Sequence, residues 1–490
     1  MSATQGSWEV LPYQSPVLPV HAALLSPGAD GRAKVLFIAG SGNDSNNTGC
    51  TNCSAVWDYE QGTFFQPQTP LNSAGTPIDF FCAGHSFLAD GRLLVMGGTE
   101  QYDPFQGLSD TLAFNPQTLD WTIVQSMAGG RWYPTAVTLR DGNVFACSGK
   151  EENGLLDTYP EIYSPSIGWS VVNPTPNPPT SPLAMYSHIF LLRDGRLFYS
   201  GGYFDSNNGV SPRILTLPIP PGAIAEQPVS GLTDLNSRDQ SASVLLPPAH
   251  EQRVMIMGGG NGFYGTATKS VDIVQLSTAE RSVSNPTYQV APALNFARMH
   301  HSAVLLPDRT VFVCGGSGMG ESGTMATKAG EIYDPAKNTW TVVASESINR
   351  LYHSVALLLP DGRVISVGGN PDRGSNELRI SVYRPPYFFK GTRPVINSAP
   401  IQLAYGASFQ IQTPQAGAIK WVNLIRPSAA THGCDTEQRL QNVVINSRTS
   451  SALNVTLTSN RNLAPPGFYM LFITDTNNVP SVAKWVQIVP

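Results

Sequence analysis

Phenol, thiol and imidazole side chains gather in four short stretches of this 490-residue chain. They are "DFFCAGHS" with Cys82, "GGRWYPT" with Tyr133, "NRLYHS" with Tyr352 and His353, and "RPSAATHGCDTEQR" with His432. His432 is the only histidine after residue 353, so any chemistry it joins needs partners from far upstream. Brought together, two imidazoles and two phenols form an N,O donor set that suits tetragonal Cu(II) better than tetrahedral zinc. Taken singly, each has a quieter explanation, because a buried Tyr, His or Cys is most often a packing residue.

The elements that could bring them together repeat. One pattern, an apolar run, a tight Asp-Gly-like turn, a second apolar run and a Gly pair or near variant, begins at residues 21, 85, 135, 188, 241, 301 and 353. Typical copies are "HSFLADGRLLVMGG" and "HSVALLLPDGRVISVGG". Each copy reads as a hairpin, and a spacing of roughly 50 to 65 residues is that of a kelch-type four-stranded blade. Segments such as "EIYSPSIGWSVV" and "EIYDPAKNTWTVV" supply the outer half of a blade. The expected fold is all-β: a seven-bladed kelch-type β-propeller over residues 1–389, a linker at 390–394, and a C-terminal immunoglobulin-like β-sandwich over 395–490, where short alternating runs follow at close intervals. In a propeller the first strand of every blade lines the axis. The residues leading into those strands therefore converge, and a loop of the C-terminal domain carrying His432 could reach them.

Composition agrees and excludes other classes. Charged residues make up 13% while Gly and Pro number 45 and 40, a turn-rich β profile. A net charge of −5 without basic runs argues against a nucleic-acid partner. No apolar stretch is long enough for a transmembrane segment, and the N-terminus shows no signal peptide pattern. A monomer is expected. "CTNC" at 50–53 reads as a local disulfide ahead of free thiols or half a zinc site, and Cys147 and Cys314, inside apolar runs, as structural thiols.

"FFCAGHS", "RWYPT", "RLYHSVALLLPDGRV" and "RPSAATHGCDTEQR", in that order over nearly the whole chain, resemble the copper radical oxidases, the family of galactose oxidase and glyoxal oxidase. The resemblance implies a Cu(2+) site with His353 and His432 as nitrogens, Tyr133 as an equatorial ligand joined through its ring to Cys82, and Tyr352 as axial phenolate and general base. The cofactors would be copper and a protein-derived Cys-Tyr radical. The partners would be a small-molecule alcohol or aldehyde and O2, with hydrogen peroxide released and an extracellular or cell-envelope location. Galactose oxidase stacks a tryptophan over this tyrosine from just after the blade's Gly pair. Here "CSGKEENGLL" places Lys150 and Glu151 there, which implies a tyrosine without that indole. The sugar-binding arginine has no counterpart in "LAMYSHIFLL", and no carbohydrate-binding domain precedes the repeats, so the glyoxal oxidase side of the family is the nearer match. Tyr264, in "GGGNGFYG", and Glu151 are candidate substrate-pocket residues. Two other readings stay open: a catalytically silent kelch binding module, and a copper-binding protein without radical chemistry.

Overall fold

The computed structural model describes residues 2–172, 182–203, 211–218, 223–277 and 282–489. Seven antiparallel sheets, each with four strands of its own, follow one another along the chain. Their innermost strands are His21–Leu25, Gly84–Phe87, Thr135–Thr138, Met185–Leu191, Ala242–Leu245, Met299–Leu305 and Ser354–Leu358. From the second blade to the seventh, neighbouring inner strands pack side by side, and the first packs on the seventh, as in a closed seven-bladed propeller. Every residue of these inner strands is buried, because each is covered on both faces by adjacent blades; that is why they read as unbroken apolar runs. Outer strands such as Asp120–Val124 and Thr339–Ser345 alternate toward solvent instead. The seventh blade is completed by the N-terminal strand Ser7–Gln14, paired with Arg379–Arg384 from Ser7 opposite Arg384 to Gln14 opposite Arg379. That closure lies outside the repeat pattern.

The loops leading into the inner strands share one construction. Arg131, Arg238, Arg298 and Arg350 are all fully buried, each two residues before a channel-facing position. Their guanidinium groups donate to the carbonyls of Ser148 (3.0 Å), Gly258 (3.1 Å), Gly315 (2.9 Å) and Gly368 (3.1 Å), tying each loop to the end of its own blade's second strand. Their charges are paired with Glu161, Asp272, Glu331 and Glu346, as buried charges require. The Gly pairs are needed for close approach: at Gly258, with φ of +60°, an added Cβ would stand 2.4 Å from the carbonyl oxygen of Arg298.

The C-terminal domain is a seven-stranded sheet, curled around a core that includes Val422, Leu424, Leu453, Tyr469 and Leu471. It also enters the propeller. Ala429–Thr431 adds a fifth strand to the first blade, with Thr431 opposite His21 and Ala429 opposite Ala23. A buried pair, Arg426 and Glu437 (2.5 Å), brackets this insertion. Glu437 accepts from Ser86 (2.5 Å) and Thr138 (2.9 Å) of the second and third blades, and Arg426 donates to the Phe87 carbonyl (3.2 Å). Glu437→Leu strands a buried guanidinium, and the expected loss is about 3–5 kcal/mol, read as a lower urea midpoint for the whole chain. An unchanged midpoint would show that the inserted loop is not held by this pair. No helix among the described residues is long and apolar enough to cross a membrane.

Candidate metal centre

The lead-in residues face the channel from a backbone conformation that side-chain-bearing residues rarely take. Cys82 (φ 61°), Tyr133 (φ 64°), Tyr186 (φ 43°), Gln240 (φ 57°), His300 (φ 58°) and His353 (φ 139°) come from six consecutive blades and all have positive φ. Strain of this kind persists only where the surroundings over-determine it. The buried arginines do so for several of these loops, and so does a chain of backbone hydrogen bonds from blade to blade, Tyr133 N–H to Cys82 (2.9 Å) and Tyr186 N–H to Tyr133 (2.9 Å). His432 arrives from the opposite side at the tip of a tight turn. Thr431 and Cys434 exchange backbone hydrogen bonds of 3.0 and 2.7 Å around His432 (φ 50°) and Gly433 (φ 73°), the double positive φ of a type I′ hairpin.

These elements bring together Cys82, Tyr133, Tyr352, His353 and His432, all buried. The Cys82 thiol and one ring nitrogen each of His353 and His432 lie within 4.8 Å of one another. The hydroxyls of Tyr133 and Tyr352 are hydrogen-bonded, and the Cys82 thiol is in hydrogen-bond reach of Tyr133. The His432 ring centroid is 4.6 Å from that of His353 and 4.7 Å from that of Tyr133.

The tautomers follow from the second layer. His353 Nδ1 is 2.9 Å from the amide oxygen of Asn370, which can only accept, so Nδ1 carries the proton. The Thr431 hydroxyl donates to the Val20 carbonyl (3.0 Å) and is left to accept from His432 Nδ1 at 2.6 Å. Each imidazole therefore presents an unprotonated Nε2, and both Nε2 atoms are buried without a protein partner. Burial lowers both imidazole pKa values, that of His353 to about 4, and raises those of Tyr133, Tyr352 and Cys82 well above their usual range. Two neutral imidazole lone pairs, two phenols and a thiol in a dry cluster fit a copper ion, and the pinned Nδ1 protons are the usual outer-shell arrangement for ligating histidines. Thr431→Val removes the acceptor for His432 Nδ1 at constant shape. Copper affinity, read by chelator competition, should fall about 10–100-fold; an unchanged affinity would mean that Thr431 does not orient this ring.

The expectation of a bare tyrosine is corrected. The indole of Trp132 stacks on Tyr133 with centroids 3.8 Å apart and planes at 16°, and Phe105 stacks on Trp132 at 4.1 Å. The aromatic comes from the residue next to Tyr133 in "RWYPT", not from the segment after the Gly pair. There Lys150 instead sits over the Trp132 ring at 5.5 Å. Tyr186 covers the other flank, with ring centroids 4.4 Å apart.

A pocket of about 380 Å³ opens onto Tyr133 and Tyr352. Its apolar side is Phe105, Trp132, Tyr203 and Phe263; its polar side includes Asn43, Glu321, Asp372 and Arg373. Arg373 pairs with Asp103 at 2.8 Å, joining the loops of the second and seventh blades. Tyr264 lines the pocket and is 70% exposed, whereas Glu151 is not among the lining residues and its carboxylate accepts from Asn153 in its own turn (2.9 Å). Sequence reasoning missed Trp132, Asn370, Thr431 and Glu321. Only Trp132 left a usable signal, because it lies inside a motif already singled out. Cys50 and Cys53 are disulfide-bonded, and Cys147 and Cys314 are buried free thiols.

A seven-bladed propeller whose axis is plugged by a histidine-bearing loop, over a phenol, thiol and imidazole cluster, defines a class of oxidoreductases. The family model "Glyoxal oxidase N-terminus" matches residues 39–387, and "Galactose oxidase-like, Early set domain" matches 393–488. Galactose oxidase of Gibberella zeae is 26% identical over 509 residues, covering 96% of this chain and 69% of that one. Aldehyde oxidase GLOX of Vitis pseudoreticulata is 28% identical over 451 residues, covering 84% and 82%. Among solved structures, a fungal alcohol oxidase of the AA5 family in complex with copper superposes with a TM-score of 0.81 at 25% identity, covering 99% of this chain and 100% of that one. The chain belongs to the galactose oxidase and glyoxal oxidase family of copper radical oxidases.

Proposed function

We propose that the protein oxidises a small aldehyde, as its hydrate, or a simple primary alcohol with O2, releasing hydrogen peroxide, and that Tyr133 joined to Cys82 is its redox-active side chain. The observation that carries this reading is the pair of imidazoles with pinned Nδ1 protons and free Nε2 atoms facing two phenols and a thiol. His353, His432, Tyr133 and Tyr352 would hold the metal. Copper, when bound, supplies a Lewis acid and a one-electron acceptor.

The remaining steps belong to the chain's own groups. Tyr352, at the pocket floor, takes the hydroxyl proton of the substrate as general base. Tyr133, holding a radical, takes one hydrogen atom from the substrate carbon. A thioether on its ring lowers the potential at which the phenol gives up an electron, and Trp132, stacked at 3.8 Å, extends the aromatic system and covers that face from water. The balance is R–CH2OH plus O2 to R–CHO plus H2O2 for an alcohol, and R–CH(OH)2 plus O2 to R–COOH plus H2O2 for a hydrate. The aromatic walls suit a short carbon chain.

Copper-loaded protein and a metal-free control, given a panel of primary alcohols and aldehydes, separate the readings. Peroxide release that requires both copper and substrate is the expected result. Copper retained without peroxide from any substrate would leave a copper-binding protein without radical chemistry, and failure to retain copper under any loading would leave a kelch binding module.

A further inference from the structure

Glu321 is the one acidic side chain of the pocket wall that is almost wholly buried, at 3% exposure. One carboxylate oxygen accepts the backbone N–H of Asp372. The other, Oε1, is sealed from solvent and has no partner in the protein. No salt bridge to Glu321 is formed among the described residues, since Arg373, the cation nearest in the pocket, is engaged by Asp103 at 2.8 and 3.1 Å. A buried acceptor without a donor costs free energy that a fold does not ordinarily carry. The terminal torsion of a glutamate is soft, so a donor entering the pocket can draw the free oxygen toward itself while the Asp372 contact holds the other. The same pocket is floored by Tyr133 and Tyr352. A molecule reacting at these phenols shares the pocket with Glu321.

Resting on the oxidase reading, we propose that Glu321 is a specificity-determining residue, accepting a hydrogen bond from the second hydroxyl of a hydrated aldehyde whose first hydroxyl is the reacting one. A simple alcohol has hydrogen there and leaves the carboxylate oxygen unpartnered. A site built to receive a hydroxyl rejects the analogue that lacks it far more strongly than an apolar pocket can. Hydrates are then favoured over alcohols of the same carbon skeleton.

The test separates binding from turnover. 1,1,1-Trifluoroacetone is a gem-diol in water with no hydrogen on the carbon that would react, and 1,1,1-trifluoro-2-propanol differs by one hydroxyl. Fluorine NMR titration of both into copper-loaded protein under argon should give tighter binding of the diol by about 10–100-fold. Glu321→Met should abolish that preference, and Glu321→Gln, which keeps shape and an uncharged acceptor, should retain part of it. In turnover, the ratio of kcat/KM for acetaldehyde to that for ethanol should fall in Glu321→Met by the same factor. Equal weakening of both ligands or an unchanged ratio would overturn the assignment. Wild-type protein that shows the diol preference but releases peroxide from no substrate of the panel would sink the oxidase reading and leave the hydrogen bond standing.

Discussion

Cys82→Ser protein, loaded with copper and incubated in air, should keep its full metal content and lose turnover by on the order of 10³–10⁴-fold, the scale seen when one member of a catalytic unit is removed. Cys82 is not one of the four proposed N,O ligands, so the metal site survives its loss. What goes is the proposed thioether on Tyr133. The substitution is nearly isosteric at a position with 0% exposure, and the hydroxyl keeps a hydrogen-bonding atom where the thiol is in reach of Tyr133. Thermal stability of the metal-free protein should therefore change little, which separates a redox defect from a folding defect. Undiminished turnover would remove the cross-linked radical from the mechanism.

His432→Ala should weaken copper binding by at least ~100-fold, since loss of an outer partner alone costs about 10–100-fold. The consequence is specific because the inserted loop has other anchors. Ala429–Thr431 stays paired to the first blade, Thr436 donates to the Ala136 carbonyl (2.6 Å), and Gln438 bonds Leu305 and Ala303 at 2.9 and 2.8 Å. Added imidazole, filling the space vacated by the ring, should restore part of the affinity. Chelator competition before and after imidazole reads both effects, and full affinity without His432 would mean that the C-terminal domain does not complete the metal site.

The sequence made the propeller legible because its inner strands are buried on both faces and so print seven apolar runs between turn residues. It also made the five cluster residues legible as candidates, since each lies within three residues of the start of such a run or in one conspicuous loop. The rest depends on contacts without a period. Asn370 and Thr431 are ordinary polar residues until the ring nitrogens they face are known. The closing strand Ser7–Gln14 pairs across 365 or more residues of chain and carries no repeat of its own. Trp132 is hard to see in the sequence because the family resemblance puts the stacking aromatic after the Gly pair, whereas here Tyr133, with φ of 64°, has its ring on that of its own neighbour. In the pocket, Tyr264 and Glu321 lie in equivalent loops, after the Gly-rich ends of the fifth and sixth blades, and the course of neither loop is set by the repeat.

Cys82 and Tyr133 should become one side chain when copper and oxygen are present. Intact mass of the copper-loaded, aerobically incubated protein against a metal-free sample, followed by peptide mapping, tests it directly. The expected result is the loss of two hydrogens and a single cross-linked species containing Cys82 and Tyr133. Retained copper with two separate, unmodified peptides would contradict it.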